Sequence, residues 1–185
     1  MLDIRTLIYN LNSFILMKEV FQILPHIELS DAHNMVLIDT CFFIHTFEHQ
    51  KEHQLKELIE KFGVGMTTFN AEEFLFKEHV VDERVREYAR KFLKAYPITL
   101  ITIDVHPGNR ESEKKFVNSI DSDLLSEIPD ASDAVLMAVA IKTSSTILTK
   151  DKHHLFTVKL ENYIKKYNLE VYKEYHDVLS QAQDL

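Results

Sequence analysis

The chain of 185 residues is long enough for one well-buried domain and too short for two full ones. Its 45% hydrophobic and 27% charged residues exclude a disordered chain, and 3 Gly with 4 Pro are too few for a hairpin-rich sandwich or barrel. A formal charge of −8 argues against a passive nucleic-acid coat, and one Cys leaves no internal disulfide or Cys-rich zinc site, so a reducing cytoplasm is the expected compartment.

Residues 3–23 place Ile4, Leu7, Ile8, Leu11, Phe14, Ile15 and Phe21 at helical spacing, with Asp3 as N-cap. Polar Asn10, Asn12 and Ser13 within the run make it a helix of the folded protein, not a signal peptide. No apolar run reaches the roughly 20 residues of a bilayer span, so no membrane partner is expected. Pro25 and the polar stretch to Asn34 end this helix. Met35 to Ile38 reads as a buried strand ending at Asp39, and 41–62 as one helix with Leu55, Leu58, Ile59 and Phe62 inward. His45, His49 and His53 recur every four residues on it. That spacing can chelate a metal, but the interleaved Glu48 and Glu52 favour a solvated face. Cys41 lacks a His or Asn partner set and reads as packing.

Val64 to Thr67 is a second strand. Residues 70–96 read as one long helix, its stripe made by Phe74, Val81, Val85, Tyr88, Phe92 and Tyr96, and Pro97 stops it. Ile98 to Ile103, rich in β-branched residues, is the clearest strand. A helix follows over 111–127. Ser132 to Lys142 is apolar nearly all round and should be buried. Thr146 to Thr149 is a strand, 159–167 a helix, 170–172 a last strand, and the tail from Tyr175 is weakly helical. Strands alternating with helices predict an α/β fold with a central, mostly parallel sheet. Residues 1–34 form an N-terminal helical extension and 35–185 the main domain.

Ligands of open α/β sheets bind beyond the carboxyl ends of the strands. Asp39, Glu73, Asp133 and Asp151 all fall at such ends. Singly, each is explained as a cap or as a charge favoured at a helix N-terminus. Together, four carboxylates at one sheet end would repel unless a cation lies among them, and all-oxygen ligands suit Mg²⁺ or Mn²⁺.

The segments V-L-I-D-T-C-F-F-I, T-T-F-N-A-E-E-F, S-D-A-V-L-M-A-V-A and I-L-T-K-D-K-H-H-L, spread over roughly residues 35–173, resemble the four acidic blocks of PIN-domain ribonucleases. The resemblance implies a PIN-like three-layer sandwich preceded by the extra N-terminal helix. It also implies a metal-dependent endonuclease that hydrolyses RNA at an Mg²⁺ or Mn²⁺ site formed by Asp39, Glu73, Asp133 and Asp151. Glu73 is chosen over Glu72 because it precedes apolar Phe74. Thr40 and Thr149 match the small hydroxyl positions beside the family's acids. Lys150, Lys152 and His153, next to the fourth acid, are expected to touch RNA phosphates. A homodimer and an antitoxin or other protein partner are further expectations, in the setting of a toxin, a maturation nuclease or a decay factor.

Rival folds with a strand-end Asp fit less well. A haloacid-dehalogenase-like phosphatase needs a second acid where Cys41 stands, and a receiver domain needs paired acids near its first strand. The alternative that keeps the fold is a catalytically inactive PIN-like scaffold for RNA binding or assembly.

Overall fold

The computed structural model describes residues 16–151, 155 and 157–181. The expectations placed on residues 1–15, on Lys152 and on His153 lie outside that set. Helix α1 covers residues 16–23. Then follow β1 (His26–Glu28), β2 (Val36–Ile38), α2 (Thr40–Glu48), α3 (Glu52–Lys61), β3 (Val64–Thr67), α4 (Thr68–Lys77), α5 (Glu83–Ala95) and β4 (Thr99–Thr102). The remainder is α6 (Arg110–Ile120), α7 (Leu124–Glu127), α8 (Ala131–Thr143), β5 (Thr146–Leu148), α9 (Val158–Ile164), β6 (Val171–Tyr172) and α10 (Tyr175–Gln181).

Among the described residues six strands form one sheet in the order β1-β4-β3-β2-β5-β6, every pairing parallel. Such a sheet must be covered on both faces, and alternate residues of a strand feed opposite faces. Val36 and Ile38 of β2 join one core with Met17, Val20 and Phe21 of α1, Phe42, Phe43 and Phe47 of α2, and Phe74 of α4. Leu37, between them, joins the other core with Val135, Met137 and Val139 of α8 and Val117 of α6. The result is helices, sheet, helices: the α/β three-layer arrangement expected. α8, apolar on nearly every side, is buried along almost its whole length. The described part of the N-terminal helix seals its own chain, with Met17, Val20, Phe21 and Leu24 all buried.

Three expected helices are broken. The 41–62 segment divides between α2 and α3 at Gln50, whose φ of 54° no helix accommodates. The 70–96 segment divides at a 3₁₀ turn, Glu78–Val80, after which Asp82 caps α5 by accepting the Arg84 N–H. Of the expected stripe Phe92 is buried and Val85 and Tyr96 pack against the core, whereas Tyr88 is 58% exposed; α5 also buries Arg86, Ala89 and Leu93. The 111–127 helix breaks at Asp121, where α6 ends. One strand was not anticipated: His26–Glu28, inside the polar stretch, pairs with Leu100–Thr102 of β4. The N-terminal extension therefore contributes an edge of the sheet.

Candidate active site

Asp39 is the residue directly after β2, and its backbone N–H still bonds to Leu148 O of β5 at 3.0 Å. It occupies the N-cap position of α2, yet its side chain caps nothing. The carboxylate instead meets side chains of α2, of α4 and of the segment after β5. Thr149 Oγ1 donates to its Oδ2 at 2.6 Å, Cys41 Sγ donates to the same oxygen at 2.7 Å, and Asn70 Nδ2 approaches Oδ1 at 3.4 Å. All three donors are neutral. Burial raises the Asp39 pKa and the nearby Glu73 charge adds to the rise, while the Cys41 and Thr149 hydrogen bonds act in the opposite direction.

Glu73 arrives from α4, which follows β3 without an intervening loop. The cap there is Thr67, whose Oγ1 accepts the Asn70 N–H at 3.0 Å and donates to Asn70 Oδ1 at 2.6 Å. This second bond fixes the orientation of the buried Asn70 amide, turning its Nδ2 into the site. Nδ2 reaches Asp39 Oδ1, Thr40 Oγ1 at 3.2 Å and Glu73 Oε2 at 3.3 Å. Thr40 Oγ1, buried, donates to Glu73 Oε2 at 2.9 Å. The other carboxylate oxygen of Glu73 faces Lys77 Nζ at 3.4 Å. Glu72 points elsewhere, to His106 Nδ1 at 2.8 Å.

The other two acids come from the segment after β5 and from the first turn of α8. The backbone N–H of Asp151 donates to Thr149 Oγ1 at 2.9 Å, and its Oδ2 accepts the Leu155 N–H at 2.8 Å. Asp133 sits half-buried in the first turn of α8, where capping is done by Asp130, which accepts the Ser132 N–H at 3.0 Å. Between Thr149 and Asp151, Lys150 donates its backbone N–H to Cys41 Sγ at 3.3 Å. Its Nζ pairs with Glu174 and lies 5.5 Å from the centre of the Phe42 ring.

The expected gathering of four carboxylates is not a ready-made cage: among the described residues no three His, Cys, Asp or Glu side chains are grouped closely enough to hold one ion. The donor set still fits a hard divalent cation. Mg²⁺ takes one or two carboxylates and keeps several waters. A half-buried Asp39, held only by neutral donors, lies near Glu73, whose charge adds to the rise of its pKa and would be offset by a cation even though Lys77 meets the far oxygen of Glu73. The histidine face dissolves, because α2 ends between His45 and His53. His45 and His49 stack with ring centres 3.9 Å apart, while His53 lines a separate cavity of about 290 Å³ with His176.

Two residues of the site were not singled out from the sequence as functional. Cys41, read as packing, holds Asp39 directly. Asn70 stands three residues after Thr67 and three before Glu73, the spacing of one helix face, and that spacing was the available signal.

The profile of the PIN domain matches residues 36–158. No curated protein matches the chain. A crystal structure of VapBC2 from Rickettsia felis, bound to a DNA fragment from their promoter, is similar at 14% identity and a TM-score of 0.46, over 74% of this chain and 96% of that one. Nor, among the described residues, is any helix long and apolar enough to cross a membrane. With the match spanning β2 to the start of α9, including Asp39, Glu73, Asp133 and Asp151, the chain belongs to the PIN-domain family, whose members are generally nucleases.

Proposed function

We propose that the chain is an Mg²⁺- or Mn²⁺-dependent endoribonuclease that hydrolyses RNA phosphodiester bonds, with Asp39, Glu73, Asp133 and Asp151 holding the metal. The observation that carries this reading is the Asp39–Asn70–Glu73 arrangement, two carboxylates oriented by one buried amide at the carboxyl end of a parallel sheet. Asp39 and Glu73 would hold a divalent ion there, and its chemistry would be neutralisation of the scissile phosphate and a lowered pKa for a bound water. The chain's own residues prepare the site. Thr40 and Asn70 fix Glu73 Oε2 and Thr149 fixes Asp39 Oδ2; Glu73 is assigned the role of orienting the attacking water. No side-chain nucleophile is required.

Lys150, beside Asp151, is assigned to an RNA phosphate together with Lys152 and His153. An antitoxin or other protein partner and a homodimer belong to the same proposal. The test compares wild type with Asp133→Asn on single-stranded RNA in Mn²⁺, with melting curves in EDTA. Loss of cleavage by a folded variant supports the reading. Wild-type-like cleavage removes Asp133 from the site, and a wild type that neither cleaves nor binds Mn²⁺ favours the inactive scaffold.

A further inference from the structure

Cys41 is the sole cysteine of the chain, and its sulfur lies inside the site. Sγ donates to Asp39 Oδ2 at 2.7 Å, lies 3.4 Å from Thr149 Oγ1, and accepts the Lys150 N–H at 3.3 Å. The direction of this chain is set by proton counting. An ionised carboxylate has no proton to give, so the S–H donates to Asp39 and a sulfur lone pair is left for Lys150. Thr149 repeats the pattern one residue earlier, accepting the Asp151 N–H at 2.9 Å and donating to the same Oδ2 at 2.6 Å.

Both short donors therefore converge on Oδ2. Oδ1 receives the Asn70 amide at 3.4 Å, at the outer limit of a hydrogen bond, and that amide is divided among Asp39, Thr40 and Glu73. The two oxygens of this half-buried carboxylate are thus inequivalent: Oδ2 takes two short bonds, and Oδ1 only the long contact from the amide that also reaches Glu73. The terminal torsion of an Asp side chain is broad and roughly two-fold, so the plane of the carboxylate is set by its hydrogen bonds more than by rotamer preference.

We propose that Cys41 is a positioning residue: its thiol proton, together with the Thr149 hydroxyl, pins Asp39 Oδ2 and so presents Oδ1 to a divalent cation shared with Glu73. The inference rests on the metal-site reading above. It also gives the 149–151 loop a route to Asp39, because the sulfur that holds the carboxylate is itself held by the Lys150 backbone.

The experiment titrates Mn²⁺ into the full metal-free chain, reading free Mn²⁺ by electron paramagnetic resonance, for wild type, Cys41→Val and Cys41→Ser. Val keeps apolar bulk and removes the donor; Ser restores an O–H. Melting curves in EDTA show whether each variant is folded. The expected result is Mn²⁺ affinity weakened about 10- to 100-fold in Cys41→Val, the range for losing an outer-shell partner of a metal ligand. Cys41→Ser should recover to within a few-fold of wild type. If Cys41→Val unfolds, Cys41→Ala provides the donor-free variant. Wild-type Mn²⁺ affinity in a folded donor-free variant overturns the proposal and leaves the metal site standing. A Ser variant as weak as Val also overturns it. A wild type that binds no Mn²⁺ overturns both.

Discussion

Phe21 of α1 packs edge-on against Phe74 of α4, ring centres 5.9 Å apart and planes at 85°. Phe74 follows Glu73 in the chain, and it also meets Phe43 of α2 at 5.4 Å, four residues after Asp39. The N-terminal helix thus supports the helices that carry both acids, although it lies outside the segment that matches the family.

Phe21→Ala should therefore cost about 3 kcal/mol, as for other buried Phe truncations, and lower the melting temperature by about 6–12 °C for a chain of this size. Differential scanning calorimetry checks it. A shift under about 2 °C would mean that α1 contributes little to this core.

Glu73→Gln should reduce Mn²⁺-dependent RNA cleavage by more than about 100-fold, since it loses a charge facing Asp39. Glu72→Gln should leave cleavage within a few-fold, because Glu72 pairs with exposed His106. Initial rates for the two variants, measured side by side, decide between these neighbours. Equal losses would contradict the geometry.

Asp39→Asn should raise the stability of the metal-free protein. Burial lifts the Asp39 pKa above its unfolded value of 3.8, so the folded state holds the proton more tightly than the unfolded one. Stability then falls as pH rises from 3.8 through the folded pKa, and the deficit persists above it. The Asn variant lacks this contribution. Urea midpoints in EDTA at pH 4 and pH 7 should show a gain over wild type that is larger at pH 7. A variant less stable than wild type at pH 7 would count against it.

His45 titrates in the other sense. Burial, reinforced by His49, Lys150 and Lys51, pushes its pKa down to about 4 from 6.5, and its Nε2 is buried without a hydrogen-bond partner among the described residues. Between those values the unfolded chain binds the proton and the folded chain does not. This contribution to stability is therefore intact above pH 6.5 and lost as pH falls toward 4. His45→Phe should flatten that limb, seen as a smaller drop in urea midpoint from pH 7 to pH 5. An unchanged drop would show that His45 is protonated without penalty.

Much of this was legible in the sequence for a physical reason. Short apolar runs ending in an acid, such as Val36–Asp39, carry both the strand and its polar terminus in adjacent residues. Helix interruptions were not legible, because breaks at Gln50 and at Glu78–Val80 contain neither Gly nor Pro and are set by packing. Tyr88 was misplaced because it stands at the margin of a face centred on Ala89, Phe92 and Leu93, where helical spacing alone does not separate buried from exposed. His26–Glu28 escaped notice since a three-residue strand with exposed ends shows no periodicity. Asn70 and Cys41 act through orientation, which composition does not display.

The pairing of β1 with β4 has a consequence for colloidal behaviour. β4 is the most β-prone segment of the chain, and without residues 26–28 its backbone donors and acceptors would form a bare border, a template for intermolecular strand addition. β1 covers that border and replaces it with one whose exposed residues are His26 and Glu28. A chain shortened to the matched segment would expose the border to other copies of itself, and its self-association would increase with concentration even if the acids at the far end of the strands kept their places.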